Sequence, residues 1–148
     1  MKTKIHFLLG ALALVAVGIT GCSKTSVSHD ADSLPEKART TLAQNFTAAV
    51  TLVKSETNVG STTEYDVTLS NGTEIVFRGN GEWDSVETPN DIPVPSGMIP
   101  TAIADYVKEK HTGALIVGID KERTGYEVDL SNGVELSFDK DGNIIPNK

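Results

Sequence analysis

The chain repeats itself, and the repeat limits what it can fold into. Tyr65-Asp66-Val67-Thr68-Leu69-Ser70-Asn71-Gly72 returns 61 residues later as Tyr126-Glu127-Val128-Asp129-Leu130-Ser131-Asn132-Gly133. Glu74, Phe77 and Gly81 match Glu135, Phe138 and Gly142 at the same offset. Upstream the offset is 65: Leu34-Pro35 matches Ile99-Pro100, Leu42 matches Val107, and Ala49 matches Ala114. The first unit therefore carries four extra residues between Val53 and Tyr65. One supersecondary module, used twice, accounts for most of the chain.

Each unit reads as a helix followed by strands. Ser33-Leu34-Pro35-Glu36 has the capping-box pattern, with serine at the cap, proline in the first turn and glutamate three residues on. Leu34, Ala38, Leu42 and Phe46 then form an apolar stripe at helical spacing. Ile99, Ile103, Tyr106, Val107 and Lys110 take the same places in the second unit, where Met98 holds the cap position. A strand follows in each, near 50–54 and 115–121.

The hairpin register follows from which side chains must share a face. Tyr126, Val128 and Leu130 alternate with Glu127 and Asp129, and Val134, Leu136 and Phe138 must join the apolar side. A two-residue Asn-Gly turn would put Leu130 opposite Glu135 and mix the faces. A three-residue loop, Ser131-Asn132-Gly133, puts Leu130 opposite Val134, Val128 opposite Leu136 and Tyr126 opposite Phe138. A one-residue slip would turn the apolar set to water, so the three-residue loop is expected, with Gly133 left-handed. The first unit agrees, pairing Leu69 with Thr73, Val67 with Ile75 and Tyr65 with Phe77. By the same rule Phe77 faces Trp83 and Phe138 faces Ile144. The expected fold is α+β: two tandem repeats, each a helix plus four antiparallel strands, in one curved eight-stranded sheet with both helices on one face. The first repeat spans 34–88 and the second 99–148. Residues 89–98 are a linker, stiffened by Pro89, Pro93 and Pro95.

Before the repeats lies an export signal. Lys2 and Lys4 open the chain, an uncharged and mostly apolar run from Phe7 to Thr20 follows, and Ile19-Thr20-Gly21-Cys22 closes it. The run falls short of the about 20 residues that span a bilayer. The four closing residues resemble the lipobox of bacterial lipoproteins. That resemblance implies a signal peptide over 1–21, cleavage before Cys22, and acylation of Cys22. An ordinary signal peptide would instead leave a lone thiol in an exported protein, which is a liability. Ser23 stands where an aspartate would retain many lipoproteins in an inner membrane, so the resemblance favours the outer membrane. Residues 22–33, rich in Ser, Thr, Asp and Ala, are expected to be a flexible tether; as a coil its length is on the order of 18 Å.

Composition narrows the partners. Removing Lys2 and Lys4 from the 13 basic residues leaves 11 against 20 acidic, a net of −9. Nucleic acid, which needs a clustered basic surface, is disfavoured, and the membrane must be held by acyl chains on Cys22 rather than by charge. With one cysteine in the chain, no intramolecular disulfide can form.

Ile99-Pro100, Gly125-Tyr126-Glu127-Val128, Leu130-Ser131-Asn132-Gly133 and Phe138-Asp139-Lys140-Asp141-Gly142 together resemble the tandem PepSY-like family. That family is named for its similarity to the beta-lactamase inhibitor proteins. The resemblance covers about 34–145, close in the second unit and looser in the first, where Arg78-Gly79-Asn80-Gly81 replaces the acidic turn. It implies the fold above and an exported protein of Bacteroidetes-type bacteria; a binding or inhibitory role follows from it only by analogy.

Catalytic constellations are thin. Asp139-Lys140-Asp141-Gly142-Asn143 has the start of a calcium loop without the bidentate glutamate that completes one, and a hairpin turn explains it as well. His6 leaves with the signal, His29 lies in the tether, and His111 ends the second helix. One histidine and no spare cysteine make neither a metal cluster nor a cysteine–histidine pair, and no serine sits in a nucleophile elbow. Neither an enzyme nor a cofactor is expected. The outward sheet face is more informative. The register gives it Asp66, Glu74, Arg78, Glu127, Asp129 and Glu135, an acidic surface that is either a solvated face or a platform for a basic or polar partner. The expected function is a lipid-anchored, non-catalytic envelope binding module that engages an unknown protein or polar ligand through that face. The alternatives are an inhibitor of an envelope hydrolase and a carboxylate-based metal-binding or stress-sensing lipoprotein.

Overall fold

The computed structural model describes residues 24–57 and 63–146. Residues 1–21, expected to be a signal peptide, and Cys22, expected to be acylated, lie outside the described residues. Nine strands form one antiparallel sheet in chain order: β1 (Lys24–Ser28), β2 (Val50–Thr57), β3 (Glu64–Leu69), β4 (Glu74–Arg78), β5 (Trp83–Glu87), β6 (Ile116–Glu122), β7 (Gly125–Leu130), β8 (Glu135–Asp139) and β9 (Ile144–Ile145). Helix α1 (Glu36–Asn45) lies between β1 and β2 in the chain, and α2 (Thr101–Lys110) between β5 and β6. The fold is thus α+β, with nine strands among the described residues rather than the expected eight.

The ninth strand is β1, which occupies part of the segment expected as a tether. Its five residues pair with β2 from Lys24↔Thr57 to Ser28↔Val53. The hydroxyls of Ser26 and Ser55 meet at 3.0 Å, and His29 Nδ1 lies 2.9 Å from the Thr51 carbonyl oxygen. A polar strand at a sheet edge needs no apolar alternation, because both its faces are wet; hence the composition of a linker.

The hairpins have the derived register. Tyr65 faces Phe77 and Val67 faces Ile75, while Tyr126 faces Phe138 and Val128 faces Leu136. The N–H of Leu69 donates to the Thr73 carbonyl at 2.8 Å and that of Leu130 to the Val134 carbonyl at 2.9 Å. Gly72 (φ 85°) and Gly133 (φ 82°) take the left-handed positions of the three-residue loops. Phe77 faces Trp83 and Phe138 faces Ile144 across the next turns.

The inward side chains of β2 to β8 join one hydrophobic cluster with Ala38 and Leu42 of α1 and Ile103 and Val107 of α2. Phe77 and Phe138 are its largest fully buried members. Tyr106 stacks edge-on against Phe138, ring centroids 5.4 Å apart. Of the expected stripes Leu34, Ala38, Leu42, Ile103 and Val107 are buried, Phe46, Ile99 and Tyr106 half-buried and Lys110 exposed, and the start of α1 is not a capping box. Ser33 ends a short 3-10 turn, its hydroxyl donating to the Asp30 carbonyl, and Pro35 is the cap residue with no side-chain cap bond. Proline's fixed φ and the 3-10 turn before it set the entry of the chain instead. Within 89–98, Val94 is buried and its N–H donates to the Ile116 carbonyl at 2.8 Å.

Candidate functional site

The face opposite the hydrophobic cluster can be assembled from strand pairings alone. One row crosses the sheet as Thr68, Glu74, Glu87, Gly118, Asp129 and Glu135, each opposite the next. A second row runs Lys54, Asp66, Val76, Ser85, Asp120, Glu127 and Ser137. A third begins Glu56, Glu64, Arg78. All six residues expected on this face lie in these rows. Asp66, Glu127 and Asp129 are half-buried, and Glu74, Arg78 and Glu135 are exposed.

Carboxylates stand directly opposite one another at Glu56/Glu64, Glu74/Glu87, Asp120/Glu127 and Asp129/Glu135. Side chains so placed have Cβ atoms about 4.5–5.5 Å apart, and like charges there are destabilising. Glu87, Asp120, Glu127, Asp129 and Glu135 each also interact with a neighbour. Gly118 makes room in the first row: a Cβ at that position would stand 3.0 Å from both Cβ and Oδ2 of Asp129, whose carboxylate leans over it.

The electrostatics follow from burial and crowding. Burial holds the Asp66 carboxyl above the ordinary carboxylate range; Lys54 pulls it down, and Glu56 pushes it up again. Burial also raises the Glu64 carboxyl, with Asp66, Asp84 and Glu56 adding to the effect and Arg78 opposing it. Lys54 bonds to Glu56 at 2.5 Å, which raises the lysine. Arg78 pairs with Asp84 and borders a cleft of about 490 Å³ that Asp120, Lys121 and Arg123 also line. The Lys121 ammonium lies 3.6 Å from the ring centroid of Trp83, and burial lowers its pKa.

Glu87 and Asp120 join the face without having been expected there. Each is placed by a local hairpin, Glu87 opposite Glu74 across β4–β5 and Asp120 opposite Glu127 across β6–β7, and the β5–β6 pairing joins the two sides. The signal was the inward pair Val86 and Ile119, which turns Glu87 and Asp120 outward.

The calcium-like segment is a turn. Asp139 Oδ1 accepts from the backbone N–H groups of Asp141 at 3.0 Å and Asn143 at 2.8 Å, and from Asn143 Nδ2 at 3.2 Å. The Asn143 side chain is the main cause of the lowered Asp139 pKa. Among the described residues no group of three or more His, Cys, Asp or Glu side chains is placed to hold a metal ion. Within them no helix is long and apolar enough to cross a membrane. His111 caps the C-terminus of α2, its ring 6.1 Å from that of Tyr106.

Solved structures share this architecture. A "putative periplasmic protein of unknown function" from Bacteroides vulgatus ATCC 8482 is 37% identical, with a TM-score of 0.78, covering 83% of this chain and 98% of its own. A "putative calcium-regulated periplasmic protein" from Bacteroides thetaiotaomicron is 31% identical, with a TM-score of 0.74, covering 84% and 94%. Another "putative periplasmic protein" from Bacteroides vulgatus ATCC 8482 is 32% identical, with a TM-score of 0.74, covering 84% and 95%. These periplasmic relatives agree with an address in the cell envelope. No curated protein matches significantly. Residues 63–146 match the family described as "Putative beta-lactamase-inhibitor-like, PepSY-like". On the hairpin sequences, the nine-stranded sheet and these matches, the chain belongs to the PepSY-like, beta-lactamase-inhibitor-like family.

Proposed function

We propose that the protein is a lipid-anchored, non-catalytic binding module of the bacterial cell envelope, and that its acidic sheet face engages a basic or polar partner. One observation carries the reading: carboxylates are set against carboxylates at Glu74/Glu87, Asp120/Glu127 and Asp129/Glu135. Such pairs lower stability, and stability is commonly given up where a surface must do something else. Acylation of Cys22 supplies the anchor, and the periplasmic relatives fit that address. At the level of fold, the two halves are read as copies of one helix-plus-four-strand module with both helices on the same face. The matching registers Tyr65↔Phe77 and Tyr126↔Phe138 support this. So do the connections 58–63 and 123–124, which differ by the four residues inserted in the first unit.

The test is capture from native membranes, with cross-linking, by the wild type and by a Glu74→Gln, Glu87→Gln, Asp129→Asn, Glu135→Gln variant. The variant should fold and should lose the basic partner. Equal capture by both sinks the acidic face as the site.

A second reading is favoured by the relative described as calcium-regulated. Paired carboxylates suit a hard cation with oxygen ligands, and a calcium titration followed by Trp83 fluorescence tests it. Hydrolase inhibition is less well supported. Phe77, Phe138, Tyr65, Trp83 and Tyr126 all belong to or pack against the hydrophobic cluster, so the acidic face lacks the aromatic anchors of tight interfaces.

A further inference from the structure

A flexible tether between an acylated Cys22 and the sheet would leave the domain free to sample any orientation at a distance from the bilayer. The structure leaves no room for one. Only Ser23 separates Cys22 from Lys24, and Lys24 is already the first residue of β1, paired with Thr57. Two residues of chain reach about 7 Å at full extension. β1 is held along its length, by five backbone register positions with β2 and by the Ser26–Ser55 hydroxyl contact. Beyond it, His29 is fastened to Thr51. Thr57 in turn lies against Thr63, the residue before β3, their hydroxyls 3.0 Å apart.

We propose that β1 is the membrane mount, so that the Lys24–Thr57–Thr63 corner of the sheet sits at the lipid headgroups with no tether between domain and bilayer. The proposal rests on the acylation of Cys22 stated above and adds an orientation to it. Neighbouring strands turn by about 20–25° each, so the later strands swing away from that corner. The acidic rows are then presented to the aqueous phase by a sheet fixed at one edge. A partner must approach within reach of the membrane, rather than at the end of a lead on the order of 18 Å.

The experiment uses the mature, acylated protein reconstituted in phosphatidylethanolamine–phosphatidylglycerol vesicles with a headgroup energy acceptor. Thr57→Cys and Ser70→Cys, both exposed, each carry one thiol-linked donor; the acylated Cys22 has no thiol to compete. Thr63 to Ser70 spans seven residue steps of strand, about 23 Å, so the two donors report opposite ends of β3. Energy transfer should be several-fold stronger from position 57 than from position 70. Eleven Gly/Ser residues inserted between Ser23 and Lys24 should abolish the contrast. Thr25→Cys, on β1 itself, replaces Thr57→Cys if the latter unfolds. Equal transfer from both positions, or no response to the insertion, overturns the mount. Failure of the protein to incorporate labelled palmitate overturns the acylation, and the mount with it, before any transfer is measured.

Discussion

Thr73→Val should make the protein more stable. Thr73 is fully buried at 0% exposure. Its backbone is satisfied: the N–H donates to Asn71 Oδ1 at 3.1 Å and the carbonyl accepts from Leu69 at 2.8 Å. Its hydroxyl has no hydrogen-bond partner among the described residues. A buried polar group left unpaired costs about 1–3 kcal/mol, and a buried methyl in its place contributes about 0.8 kcal/mol. Valine is also β-branched and nearly the same shape, so backbone preference and rotamer freedom barely change. The second hairpin carries Val134 at the matching position. We expect a gain of about 1–2 kcal/mol, a rise in Tm of roughly 3–8 °C for a domain of this size. Urea unfolding followed by Trp83 fluorescence measures it, with the m-value unchanged. Thr73→Ser, which keeps the hydroxyl and removes the methyl, should lose stability. A loss of stability in Thr73→Val would refute the argument, because it would mean that the hydroxyl is bonded in the folded protein.

Phe138→Ala should cost about 3–5 kcal/mol, and a double-mutant cycle with Tyr106, its edge-on neighbour, should show a coupling of about 0.5–1.5 kcal/mol; urea midpoints decide both. Gly133→Val should cost about 1–2 kcal/mol from the left-handed backbone alone, since nothing lies within 4 Å of an added Cβ. Asn132→Ala should cost less, though not nothing, because Asn132 Oδ1 accepts from the Val134 N–H at 3.2 Å. Asp66→Asn should stabilise the protein at pH 7 and do little at pH 4. The folded-state pKa of Asp66 is raised, so its contribution is fully present below the unfolded value of about 3.9 and is lost as pH rises through the folded one. A larger effect at pH 4 than at pH 7 would reverse the sign. Gly118→Ala should push the Asp129 carboxylate off the sheet and weaken capture of a basic partner before it affects the unfolding midpoint much.

The parts of the fold that were legible in the sequence are those fixed by short-range rules. Ser70-Asn71-Gly72 and Ser131-Asn132-Gly133 set their loops by the need for a left-handed third residue, and alternation then fixed every pair in both hairpins. The two helices followed from apolar spacing. β1 was not legible, because Lys24-Thr25-Ser26-Val27-Ser28 carries no apolar period and becomes a strand only when β2 offers its edge. The capping-box signal at Ser33 was real but was outcompeted. Asp30 caps a 3-10 turn through the N–H of Asp32 at 3.0 Å and draws Ser33 into it. Of the acidic face, the carboxylates of β3, β4, β7 and β8 followed from the derived registers; Glu87 and Asp120 sit opposite Glu74 and Glu127 in neighbouring hairpins, and joining the two sides into one face required a pairing made across α2.

That pairing decides whether the acidic face is one surface or two. β5 and β6 share only Ser85↔Asp120, Val86↔Ile119 and Glu87↔Gly118 in register, so the join between the halves is short. The segment after β5 extends it. The Thr88 N–H donates to the Val117 carbonyl at 2.8 Å, its hydroxyl lies 2.5 Å from the Ile92 carbonyl oxygen and 3.0 Å from that of Val117, and Val94 closes onto Ile116. Thr88 and Val94 are both buried. The proline-rich stretch between β5 and α2 is therefore part of the seam, and it helps hold Glu74 and Glu87 in line with Asp129 and Glu135. A chain with the same hairpins but a slack connection there would keep its core on each side. It would lose the continuous row of charge that the proposed partner is expected to meet.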